Sequence, residues 1–305
     1  MSNRQQPARN KISDNSWQTE IQEVISGASG GFLFGIPLLY TMEVWFIGSY
    51  VEPAILLSIL AITFVIVLLI NKIEGFRPKE SETIFEAIAE TTETLAIGLT
   101  CAALVMIILQ QINWQTSLSE ALGKIVFEGI PFSVGVAFSR SLLTGDPEAN
   151  LDNNNDSSSQ SSNQQSSRQS SIVWKDTVAD LFATTIDSLF VAFSIAPTDE
   201  IDMLAASASS GWLLIIMLAS LLISYGIVFA SKITNYQNRF EQSGIFQRPQ
   251  SETVISYLVS LLVGMLMMWF FHKLTFDDPW FIWLRYSIVL GLPACIGGAA
   301  GRLAV

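Results

Sequence analysis

The 305-residue sequence predicts an all-α, polytopic helical membrane protein, with eight transmembrane helices arranged as two parallel four-helix repeats. Three observations carry that prediction. Half of the residues are apolar and 14% are charged, where a soluble domain holds about a quarter charged. The apolar residues gather in blocks that approach the ~20 needed to cross a bilayer. Several motifs of the first half recur, in the same order, in the second.

The blocks run roughly over 25–48, 53–70, 90–110, 122–143, 179–198, 211–230, 254–271 and 281–303. In lipid only helices and closed barrels satisfy their own backbone, and alternating ten-residue strands are absent, which leaves helices. A polar stretch of about 24 residues precedes the first block, too long for the charged start of a cleaved signal peptide. Thirteen of the sixteen Lys and Arg fall on alternate connections: Arg4, Arg9 and Lys11; Lys72, Arg77 and Lys79; Arg140, Arg168 and Lys175; Lys232, Arg239 and Arg248; and Arg302. The positive-inside bias therefore puts both termini in the cytoplasm. The net charge of −11 speaks against a nucleic-acid partner. Cys101 and Cys295 sit in apolar blocks without disulfide or metal spacing, and no cofactor motif is present.

The repeat is clearest in GIPFSVGVAFSR (129–140) and GLPACIGGAAGR (291–302), which share Gly, Pro, Gly, Ala and Arg without gaps. Trp17 and Thr41-Met-Glu43 match Trp174 and Thr198-Asp-Glu200 at one offset. Asn71-Lys-Ile73 resembles Ser231-Lys-Ile233, and Ser81-Glu-Thr-Ile84 resembles Ser251-Glu-Thr-Val254. The expected division is a disordered tail (1–16), a first membrane repeat (17–144), a disordered polar linker (145–173) and a second repeat (174–305). An even number of spans per repeat keeps the two parallel.

Acidic residues inside the apolar blocks are the candidate site. Asp187 falls near the middle of the fifth block, about 15 Å from either end. An acid there is costly, so it marks an ion or proton path, or it is a protonated packing partner of Thr184 or Thr185. Glu43 and Glu200 occupy matched positions near Pro37 and Pro197, which could free carbonyls for a cation; the bland reading is an acid at the interface. Glu128 lies in the fourth block with Lys124 one turn away, a pair that could simply be a snorkelling lysine and its partner. Glu82, Glu86, Glu90 and Glu93 form one helical stripe into the third block, with Glu90 and Glu93 inside the hydrocarbon zone; such a stripe would draw cations inward or merely face water. Gly27-Ala-Ser-Gly-Gly31 has the outline of a serine nucleophile motif, but the lone His272 belongs to the opposite end of the bundle, so no enzyme is expected. Gly27, Gly31 and Gly35, like Gly297 and Gly301, read instead as close-packing faces.

GFLFGIPLLYTMEVW in the first block, SIAPTDEI at the end of the fifth and GLPACIGGAAGR near the C-terminus resemble a family of bacterial integral membrane proteins, carried by cyanobacteria and proteobacteria, known as a domain of unknown function. The resemblance implies a bacterial inner membrane and supplies no activity. From the residues alone, the expected function is a secondary transporter or permease, carrying or coupled to a cation such as H⁺. In it Asp187 is the central ligand, Glu43, Glu128 and Glu200 bound the outer access, and Glu90 and Glu93 the inner. The alternative is a non-transporting scaffold or sensor with structural acids.

Overall fold

A computed structural model describes residues 9–74, 83–139, 181–232 and 249–302. Among them are ten helices and no strand: α1 (Arg9–Leu39), α2 (Met42–Gly48), α3 (Pro53–Glu74), α4 (Ile84–Ile108), α5 (Leu118–Ala137), α6 (Leu181–Ile195), α7 (Glu200–Ser207), α8 (Ser210–Lys232), α9 (Pro249–Phe270) and α10 (Trp280–Gly301). The expected linker over 145–173, with Ser81, Arg140 and Trp174, lies outside the described residues.

The helices begin where local chemistry lets them. The Thr83 hydroxyl accepts the Glu86 N–H at 3.4 Å while the Glu86 carboxylate accepts the Thr83 N–H at 3.1 Å, a reciprocal cap on α4. Ser117 caps α5 through the Glu120 N–H. Five helices, α3, α4, α8, α9 and α10, are long and apolar enough to cross a membrane, and up to seven spans result if the bent pairs α1/α2 and α6/α7 each count as one. Eight were expected. The missing one is α5, whose Glu120, Lys124 and Glu128 put three charges on twenty residues.

The first and fifth blocks, expected as straight spans, are each broken. α1 turns into α2 through 93° and α6 into α7 through 91°. Thr198 N–H closes on Ile195 O as Thr41 N–H closes on Leu38 O, both at 3.0 Å and 157 residues apart. In the second break Pro197 lacks a donor and pushes its neighbour out of the helical region. In the first, Pro37 removes one donor a turn earlier and Thr41 is extended.

After each bend the chain runs through three helices in the same order. The turns before α5 and α10 match bond for bond: Gln111 and Ile112 N–H reach Met106 O, while Lys273 and Leu274 N–H reach Met268 O. Gln110 and His272, at φ 58° each, supply the left-handed residue this helix ending requires. These positions are 162 apart, as are Gly129 on Leu99 and Gly291 on Leu261. α3 and α8 match at 157: both start with an N–H closing on the residue four earlier (Leu56 on Glu52, Leu213 on Ser209), and both bury one stripe, Leu56-Thr63-Val67-Asn71 against Leu213-Ser220-Ser224-Val228. The expected pairing of Ser81–Ile84 with Ser251–Val254 needs a separation of 170 and lies partly outside the described residues, and that of Asn71 with Ser231 needs 160; the bonds and contacts of these helices recur at 162 and 157.

The last helix of each half is its hub. α5 packs on α1, α2, α3 and α4. α10 packs on α7, α8 and α9, and meets α6 through Gly297, Gly298 and Gly301. The halves join where α1 lies on α8 and α10, and α4 on α8. The Tyr40 hydroxyl donates to Val289 O at 2.7 Å, and the Trp212 indole to Ile108 O.

Candidate functional site

Glu128 is the acid the fold isolates most. It sits on α5 ten residues from Leu118 and nine from Ala137, about 15 Å from either end of the hub. Its side chain is fully buried, and neither carboxylate oxygen has a hydrogen-bond partner. The expected Lys124 pairing does not form. Lys124 turns outward to Glu120 (2.7 Å) and to Gln111 O (2.9 Å), and lies over the Trp45 ring at 5.6 Å. Glu before Lys at i,i+4 is the better-oriented order, so Glu120 wins.

The helix register tells what Glu128 faces. Gly27 and Gly31 of α1 pack on Val136 of α5, and Gly35 packs on Phe132. One more turn outward brings Leu39, the last residue of α1, level with Glu128. The buried acid of the hub thus stands at the level where α1 breaks.

Glu200 lies at the same broken region from the other half. It opens α7, is buried, and accepts the Met42 N–H at the start of α2 at 3.4 Å; its second oxygen has no partner. Its matched residue Glu43 is exposed on α2, so two positions alike in sequence differ in surroundings. Side-chain capping of α2 by its own Thr41 is absent, and Glu200 takes that place from across the molecule.

Asp187 sits apart from both. Its carboxylate packs on Gly301, the last residue of α10, and its carbonyl on Gly297. Tyr40, beside the α1 break, reaches Val289, twelve residues before Gly301. Asp187 is therefore about 18 Å along the bundle from the level of Glu128, beside the last residue of α10. It is half-buried between the exposed Phe182, Ile186 and Phe190 and the buried Thr184 and Ser188. Ser188 bonds Ser260 at 2.7 Å, and Thr184 accepts from Ser256 at 3.5 Å. Glu93 and Glu90 precede Leu99, the contact of Gly129, by six and nine residues, about 9 and 14 Å toward the Asp187 end. Glu90 is buried beside Asn71, Thr91 and Thr94, where the Asn71 amide donates to Thr94 at 3.1 Å. Glu82 lies outside the described residues and Glu86 is spent on its cap. The structure thus gathers Glu128 and Glu200 near one break, and leaves Asp187, Glu90 and Glu93 toward the other end.

The serine-protease outline has no support in this geometry: Ser29 donates to Ile25 O, and His272 stands in the turn beyond the far end of α9. Sequence reasoning missed Tyr40, whose hydroxyl lands on the other half, and Gly30, which meets Gly135 on α5. Only the four-residue spacing of the neighbouring glycines hinted at the second.

Long apolar helices, bent pairs and interior acids define a helical integral membrane protein. A family model described as "Putative integral membrane protein (DUF2391)" matches residues 23–305, and the chain belongs to that family, whose function is unknown. No curated protein and no solved structure matches the chain.

Proposed function

We propose that the protein is a secondary permease carrying, or driven by, a cation, with a proton handled at Glu128. One observation carries this: a fully buried carboxylate without a partner, halfway along the hub helix and level with the break in α1. An ion or proton must leave water to be carried, and a lone intramembrane acid beside a helix break is the arrangement that offers it oxygens there. A buried charge with no partner is strongly disfavoured, so in this state the acid would be neutral and a second state would ionise it. Glu200 and Glu43 would bound the access on that side, and Asp187, Glu90 and Glu93 the opposite mouth. In this reading the chain is a duplicated four-helix unit in a bacterial inner membrane, with both termini cytoplasmic and no enzymatic step. The test is flux into reconstituted vesicles carrying a pH dye under imposed cation gradients. Glu128→Gln should lower pH-coupled flux at least tenfold while folding normally; flux at the wild-type rate removes Glu128 from the mechanism.

The second reading is a scaffold or sensor. Glycines that bring the hub helices into backbone contact, as Gly30 on Gly135, favour a rigid body over a moving one. It predicts no flux from the wild type and a stability loss, with nothing else changed, from Glu128→Gln.

A further inference from the structure

The two halves meet through surfaces that each half possesses and only one pair uses. α1 lies on α8, with Ser29 facing Gly226 at 3.9 Å from where a Cβ would stand. At the constant separation of 157, the positions matching α1 fall on α6 and those matching α8 fall on α3. Ser29 and Ile36 are 4% and 0% exposed; their counterparts Ile186 and Phe193 are 60% and 52% exposed. Likewise α8 buries a second stripe, Ile216-Ala219-Ile223-Ile227, beyond the one it shares with α3. The matching positions on α3 are Ile59, Ile62, Ile66 and Ile70, none of them buried. In all, 17% of the apolar window of α3 is buried against 39% of α8.

We propose that the open face of α6 takes α3 of a second copy of the chain, in the register in which α1 takes α8 within one copy. Lipid would cover both faces equally well, since lipid tails are as apolar as isoleucine. What assigns a chain is continuity with an existing interface: the same two kinds of surface already associate once per copy, and each copy leaves one of each unpaired. The contact stands whether or not the protein transports. The register is specific. Ser29 opposite Gly226 becomes Ile186 opposite Leu69 of the second copy. One antiparallel turn along, Leu33 comes level with the buried Ile223, so Phe190 comes level with Ile66 of the second copy.

Cysteine cross-linking in native membranes tests this. A chain with Ile186→Cys and a differently tagged chain with Leu69→Cys are co-expressed, and oxidation is followed by a non-reducing gel and both tags. A mixed dimer is expected, along with a second from Phe190→Cys with Ile66→Cys, which guards against one variant misfolding. Ile186→Cys with Leu57→Cys, twelve residues or about 18 Å from the predicted level, should give at least tenfold less. The native Cys101 and Cys295 are buried, so the unsubstituted chain should give none. No mixed dimer from either predicted pair, or equal yield from the Leu57 pair, overturns the proposal and leaves lipid on these faces.

Discussion

The interface of α1 with α5 and the interface of α6 with α10 solve one packing problem in opposite ways. In the first half, apart from Gly135, which is glycine in both halves (Gly297), the small residues are on α1: Gly27 and Gly31 receive Val136, and Gly30 receives Ser139. In the second half they are on α10: Gly298 receives Thr184 and Ser188, and Gly301 receives Asp187. Each pair stands at the matching positions of the other, with large and small exchanged. Gly35 on Phe132 becomes Ala192 and Ala294, both wholly buried. Close packing requires the volume between two helices to be filled once, and leaves free which helix fills it. The exchange accounts for Asp187 as a side chain using room that Gly301 provides. It does not account for Glu128. The counterpart of Glu128 is Leu290, which packs on Gly264, so an apolar residue serves that position well in the other half. The acid that packing does not call for is the stronger candidate for chemistry.

The largest effect that could break this comparison is at Gly35. An added Cβ would enter the Phe132 ring, so Gly35→Ala should destabilise by about 1–3 kcal/mol through overpacking. Phe132→Ala alone should cost about 3–5 kcal/mol by leaving a cavity. Together they reproduce the alanine pair of the second half. The double variant should therefore be more stable than the sum of the two losses by about 1 kcal/mol or more, read by unfolding in detergent as a double-mutant cycle. Strict additivity would mean that the two interfaces are not alternative fillings of one geometry.

The apolar helices were legible because hydropathy needs no partner: the block expected over 53–70 is α3, and that over 211–230 is α8. The bends were not. Pro131 and Pro293 sit inside α5 and α10, which stay continuous, whereas Pro37 precedes a right-angle turn. A proline removes a hydrogen bond and crowds the turn before it, which bends a helix without folding it over; whether it then turns through a right angle depends on what holds the far side, here Tyr40 on Val289 and Glu200 on Met42. The hub role of α5 was hidden by its charges, which make it look least suited to the centre. The acids were all visible in the sequence, and their grouping was not, since Glu128 and Glu200 approach the same break only through contacts between distant segments.

The ends of the halves that carry the bends differ in the same complementary way. Each bent half-helix is tied down by a lysine. In the first half Lys124, on the hub, covers Trp45 of α2 and holds Gln111 O in the turn. In the second half the lysine is in the turn itself: Lys273 stands at the position of Gln111 and reaches Asp199 at 2.7 Å and Asp202 at 3.0 Å, and Asp202 stands at the position of Trp45. Lys124 is buried and Asp199 is exposed, and that difference sets the expected energies. Lys124→Met keeps the stem but strips its partners of their donor, and should cost about 1–3 kcal/mol by thermal unfolding. Lys273→Met should cost distinctly less, because exposed pairs are screened. Equal losses would mean that burial does not separate the two clamps.

The smallest effect is also the one that sorts the clamps by pH. Lys273 holds the Asp199 carboxyl below its ordinary 3.8, through a hydrogen bond and its charge, and the Asp199 bond in turn holds Lys273 above its ordinary 10.5. A depressed acid contributes stability that is complete above 3.8 and is lost as pH falls through its lower folded value. A raised lysine contributes stability that is complete below 10.5 and is lost as pH rises past its higher folded value. The pair therefore favours the folded state between those limits, and its contribution fades outside both. Across that interval the Lys273→Met variant should melt a little below the wild type, and the two curves should converge below pH 3.8 and above pH 10.5. Raising salt from 0.05 to 0.5 M should narrow the gap, since the Debye length falls below about 5 Å. A gap that persists unchanged at pH 3 or in high salt would assign the loss to the lysine stem packing on the turn.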